Sequence, residues 1–109
     1  MQNVYDLAHE LVRSLKETDQ YKNYQNMKEK VSGNESLTKM LKDFQDKNMQ
    51  FQLGVMQTGE PDAELQKQVQ DLYGIVMADP LAAQYMQAEY SFTQVVSEIY
   101  QILGEVAQS

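Results

Sequence analysis

From Leu37 to Val55 the chain places Leu37, Leu41, Phe44, Asn48, Phe51 and Val55 at alternating steps of four and three, with one amide among five apolar side chains. This is the spacing of a knobs-into-holes seam between helices, and a strand, whose period is two, cannot put those residues on one face. The seam predicts a helix over about Glu35 to Gln57, and the flanking sequence reads the same way. Asn3, with Asp6 three residues on, is a candidate N-cap for a first helix to about Glu17, striped by Val4, Leu7, Ala8, Leu11 and Leu15. Thr18 would cap a second helix, about Asp19 to Val31, with the thin stripe Tyr21, Tyr24, Met27 and Val31, and Gly33-Asn34 would end it and cap the next. Thr58-Gly59-Glu60-Pro61 is a turn, followed by a fourth helix from about Asp62 to Met77 with Leu65, Val69, Leu72 and Val76 on its stripe. Asp79-Pro80 supplies an N-cap and an N1 proline for a last helix reaching about Val106. The fold class expected is all-α: five helices in one domain spanning 1–109, with long antiparallel helices three and five forming a bundle completed by oligomerisation.

The last helix is the reason for expecting a partner. Set at 100° per residue with Leu81 as origin, Leu81, Tyr85, Ala88, Phe92, Val95, Ile99, Ile102 and Val106 fall within about 60° of it. Met86, Tyr90, Val96, Tyr100 and Leu103 occupy a second flank, so the apolar arc exceeds roughly 200°, where a surface helix needs about 100°. A rod of about 27 residues is also roughly 40 Å long, more than the roughly 34 Å diameter of a globule of this size. A homo-oligomer is expected, a dimer first, with Met86, Glu89, Tyr90, Val96, Tyr100 and Leu103 in the contact. Met49, Leu53 and Met56 on the third helix add a second patch. Glu89 lies within the apolar flank, where a carboxylate either reaches solvent or must meet a cation, a helix N-terminus or hydroxyl donors, or else protonate.

Few residues offer chemistry. Absence of cysteine removes disulfides, thiolate metal sites and a Cys nucleophile, and Asp6 with the lone His9 is too little for a di-metal bundle, which needs two Glu-x-x-His motifs. The five glycines stand singly, without a phosphate loop, and no serine sits in a nucleophile elbow. A net charge of −7 opposes phosphate-backbone binding, so Lys22, Lys28 and Lys30 make only a modest basic patch and direct nucleic-acid contact is not expected. The longest apolar run, Ile75–Ala78, is far short of the roughly 20 residues that span a bilayer, and no signal-peptide pattern opens the sequence. No membrane, no cofactor, no metal and no catalysis are expected, in a cytoplasmic setting.

Several short elements in a fixed order carry a resemblance. They are Val4-Tyr5-Asp6-Leu7-Ala8 with Leu11 and Leu15, Tyr21 through Tyr24, Leu41-x-x-Phe44, Thr58-Gly59, Asp79-Pro80, and Tyr85-Met86-Gln87-Ala88-Glu89 running to Ser97-Glu98-Ile99. In these the chain resembles the YlbF/YmcA-like family of small helical proteins from Gram-positive bacteria, in its short, cysteine-free branch. The resemblance implies an oligomerising helical protein without catalysis, in a family linked to competence, sporulation, biofilm formation and an mRNA-processing ribonuclease. The iron–sulfur chemistry of cysteine-bearing members does not transfer to a chain without cysteine. The expected function is therefore regulatory protein–protein interaction. The alternative is a small-ligand carrier with a pocket lined by Tyr85, Tyr90, Phe92 and Tyr100.

Asn48 occupies an a-type position of the seam, where an amide either fixes register at a cost in stability or merely rims the core. Asn48→Leu is expected to raise the melting temperature and broaden the distribution of assembly states, read by thermal denaturation and light scattering. A lower melting temperature with one unchanged state would mean that the amide makes essential local hydrogen bonds.

Overall fold

Helix boundaries in the computed structural model, which describes residues 3–108, are fixed largely by side-chain caps. The order is α1 (Val4–Lys16), α2 (Asp19–Ser32), α3 (Glu35–Thr58), α4 (Ala63–Ala78), α5 (Pro80–Leu103) and the short α6 (Glu105–Gln108). The class is all-α as the periodicity predicts, with no strand among the described residues. Asn3 Oδ1 accepts from the Asp6 N–H at 2.9 Å, Thr18 Oγ1 from Tyr21 at 3.1 Å and Asn34 Oδ1 from Leu37 at 3.0 Å. Asp62 Oδ1 takes the Glu64 and Leu65 N–H groups, and Asp79 Oδ1 takes those of Leu81 and Ala82. Each cap satisfies backbone donors that the first helical turn leaves without partners.

Two boundaries differ from expectation. Gly33 does end α2, but without a left-handed conformation, since Gly59 is the one described residue with positive φ. The α2 terminus is instead closed from beyond: the Asn34 N–H donates to the Val31 carbonyl at 2.9 Å and the Thr38 hydroxyl to the same oxygen at 3.0 Å. The last helix stops at Leu103 rather than Val106, and a new turn of helix begins at Glu105. A Cβ on Gly104 would stand 3.2 Å from the Gln101 carbonyl oxygen, a crowded approach that glycine avoids.

The chain divides into two compact units, each with its own buried residues. The first contains α1, α2 through Glu29, α5 from Tyr85, and α6. Its buried residues are Met27, Tyr85 and Ala88, and none belongs to α1. The second unit, Lys30–Gln84, is built on the α3–α4 pair, joined by the short 59–62 connection. Val31, Leu37, Leu41, Phe44, Val76 and Ala82 are buried there, and the Phe44 and Tyr73 rings lie 5.9 Å apart. The α3 seam is buried only in its first half: Asn48, Phe51 and Val55 are half-buried. Thr58 fixes the connection, donating to the Gly54 and Glu60 carbonyls at 2.8 and 2.9 Å.

Gly59 takes φ of 79° with open space where a Cβ would project, so only its backbone conformation requires glycine. Gly59→Ala should cost about 1 kcal/mol, measured as a lower denaturation midpoint at unchanged slope.

Candidate interaction surface

Aromatic rings do most of the packing in the first unit. Phe92 of α5 stacks on Tyr24 of α2 at 5.7 Å between centroids and meets the edge of Tyr21 at 5.4 Å. Tyr24 also packs against Tyr85 at 5.9 Å, and Lys28 Nζ stands 5.5 Å from the Tyr24 ring centroid, within cation–π range. The thin α2 stripe is thus put to full use, its sparse apolar content made up by ring area.

This cluster settles where the Glu89 carboxylate is met. Glu89 is half-buried, and the Tyr85 hydroxyl, one turn earlier on α5, hydrogen-bonds with it and with Tyr24. Burial, the Tyr24 hydrogen bond and the nearby Glu89 charge all push the Tyr85 hydroxyl well above the usual tyrosine range. Tyr85 is therefore held as a neutral donor, one of the outcomes open to a carboxylate set among apolar neighbours. The four residues of the expected ligand pocket do not converge: Tyr85 and Phe92 are filled against by α2 rings, while Tyr90 and Tyr100 are 65% and 70% exposed. Side chains pointing into solvent cannot wall a cavity shared with buried ones.

The flank of α5 expected to form a subunit contact is open at Tyr90, Tyr100 and Leu103 and half-buried at Met86, Glu89 and Val96. Ile102 and Val106, expected on the packed stripe, are exposed as well, so the end of α5 and its continuation are apolar and uncovered on both flanks. In the second unit Met49, Leu53 and Met56 are all exposed on α3, whereas Asn48 beside them is half-buried. A shallow groove of about 720 Å³ in the same unit is lined by Met40, Leu72 and Ile75 together with Lys39, Lys42, Asp43 and Asp46. Its mixed charges favour no single ligand chemistry. His9 is exposed on α1, and among the described residues no three His, Asp or Glu side chains gather where they could hold a metal.

The α1 helix forms where its stripe predicts, but of that stripe Val4, Leu7 and Ala8 are exposed and Leu11 and Leu15 only half-buried, with Tyr5 and Val12 exposed beside them. Periodicity reports that a face is apolar and not whether the chain covers it.

The family described as control of competence regulator ComK, YlbF/YmcA, matches residues 4–106. A UPF0342 protein of Symbiobacterium thermophilum is 34% identical over 102 residues, covering 94% of this chain and 91% of its own. A UPF0342 protein of Staphylococcus epidermidis is 35% identical over 102 residues, covering 93% of this chain and 89% of its own. Among solved structures, a protein of unknown function (DUF964) from Bacillus stearothermophilus superposes with a TM-score of 0.81 at 16% identity, over 98% of this chain and 94% of its own. Bacillus subtilis RicA, in a crystal structure with RicF, gives a TM-score of 0.62 at 15% identity, over 96% of this chain and 93% of its own. At such identities the structural likeness speaks for the fold.

The protonated Tyr85 has a consequence for stability at alkaline pH. Its folded pKa is raised above the unfolded value of 10.0, so its contribution is complete below pH 10 and is lost as pH rises beyond it. Denaturation midpoints should therefore fall above about pH 10 for the wild type, and less steeply for Tyr85→Phe, which has no hydroxyl to ionise. Equal slopes would show that Tyr85 is not a source of the alkaline loss.

Proposed function

This chain belongs to the YlbF/YmcA family of competence-control proteins, and we propose that it is a non-enzymatic, cytoplasmic regulator that works through protein–protein contacts, first of all as a homodimer. The observation that carries this reading is the exposure of Tyr90, Tyr100 and Leu103 along α5. Burying a large apolar side chain is worth about 1.5–3 kcal/mol, so three of them offset a substantial part of the cost of association. Tyrosine suits such a contact, since its ring packs while its hydroxyl finds a partner at the rim. Glu89, Met86 and Val96 would lie at the margin of the contact, already half covered by their own unit.

Other features point the same way. Bacillus subtilis RicA, which shares the fold, is seen in complex with RicF, so a protein of this architecture presents a surface to another protein. The exposed Met49, Leu53 and Met56 offer a separate, adaptable surface for such a partner, thioethers being tolerant of varied shapes. Tyr85, whose protonation is most perturbed, serves a packed aromatic cluster rather than an open cleft. No helix among the described residues is long and apolar enough to cross a membrane.

The test is Tyr90→Asp/Tyr100→Asp, followed by light scattering and circular dichroism together. Both side chains are exposed, so helicity should be retained while the mass falls from that of a dimer to that of one chain. A fully helical variant with the wild-type dimer mass would mean that the contact lies on another face. A wild-type mass equal to one chain would remove the homodimer from the reading.

A further inference from the structure

Sulfur redox chemistry can enter this chain only through methionine, because it has seven Met and no Cys. The described methionines differ widely in access. Met27 is 5% exposed, Met40 and Met86 are half-buried and Met77 on α4 is 40% exposed, whereas Met49 and Met56 are 63% and 81% exposed. Seven residues apart on α3, those two share one face of the helix, with the exposed Leu53 between them. Between Lys47 and Glu60 the chain carries no charged residue, so apolar side chains and glutamines set the polarity of this surface. Gln45 stands four residues before Met49, and Gln52 stands three after it and four before Met56, the spacings at which helical side chains meet.

We infer that Met49 and Met56 are a paired oxidation site for a peroxide-class two-electron oxidant, and that their conversion to sulfoxides withdraws the α3 surface from an apolar partner. This deepens the reading of α3 as a contact surface and rests on it for what the modification regulates. In each step a thioether lone pair attacks one peroxide oxygen, an S–O bond forms and the O–O bond breaks. The proton of the transferred hydroxyl passes to the departing hydroxide, which leaves as water, so sulfur loses two electrons and the peroxide gains them. The product is polar and chiral where the reactant was apolar. Two of the three apolar side chains of the strip change together, and Leu53 alone keeps its character. Neither thioether belongs to the buried core, so the helix tolerates the change, and the Gln45 and Gln52 amides can donate to the new sulfoxide oxygens. Met27 is the counter-case, since a sulfoxide there would place a polar group among the buried residues of the first unit.

The experiment treats the full-length chain with hydrogen peroxide and follows each methionine by peptide mass spectrometry. Circular dichroism reports helicity, and hydrophobic-interaction chromatography reports surface polarity. Met49 and Met56 should each gain one oxygen at least about fivefold faster than Met27, which reacts only when its unit opens. With those two modified, helicity should be unchanged and retention on the apolar column should fall. Met49→Leu/Met56→Leu, a volume-conserving change, should keep its retention through the same treatment. Thiol-dependent sulfoxide reduction should restore the wild-type retention. Three results would each overturn the inference: oxidation of Met27 or Met86 at the rate of Met49 and Met56, loss of helicity when only those two are modified, or an equal fall in retention for Met49→Leu/Met56→Leu. If the oxidation pattern fails, the contact reading of α3 is untouched. If α3 takes no partner, the pattern remains and its regulatory role falls.

Discussion

Cohesion of the first unit falls on one ring. Tyr24 touches both Phe92 and Tyr85, and so joins α2 to α5 across two points about two turns apart. Lys28 caps the cluster on one side, and Tyr85 carries its polar edge to Glu89. Because α1 contributes nothing fully buried, this aromatic contact and the buried Met27 and Ala88 must hold the unit together. Large flat side chains are the economical choice for such a place, since each brings much contact area with few torsions to order.

Much of the architecture was legible because it is locally encoded. Asn3, Thr18, Asn34 and Asp79 act as caps through their own side-chain oxygens, and Gly59 takes the left-handed turn, so each boundary follows from residues within a few positions of it. The exceptions involve partners further along the chain or crowding invisible to a pattern. The close of α2 depends on Thr38 reaching back seven residues to Val31. The break at Gly104 comes inside a periodic stretch whose apolar spacing runs on to Val106 without interruption. The partition into two units left no mark in composition either, because α2 and α5 each contribute residues to both and no linker separates them.

Of the exposed apolar surface, the α5 flank could be read because the helix has more apolar arc than one packed face can use. Tyr90, Tyr100 and Leu103 are open as that excess implies, and Met49, Leu53 and Met56 follow the same rule on α3. Glu89 was recognisable as a group in need of a donor, but which hydroxyl supplies it depended on the placement of Tyr85 beside the α2 rings. The α1 face was illegible for the opposite reason. Its apolar content is ordinary for a surface helix, and only the fold shows that Val4, Tyr5, Leu7 and Val12 stay exposed while Leu11 and Leu15 are half covered.

The brevity of the connections has an outcome for how such a chain can vary. Between α1 and α2 stand Glu17 and Thr18, between α2 and α3 Gly33 and Asn34, and between α4 and α5 only Asp79. At each of these a capping oxygen must meet an N–H two or three residues on, so one residue added or lost would rotate the following helix by about 100° and turn its packed face outward. The segment 59–62 is the longest connection between the described helices. Length changes compatible with the fold are therefore confined to that loop and the two chain ends, and elsewhere the protein can diverge by substitution alone.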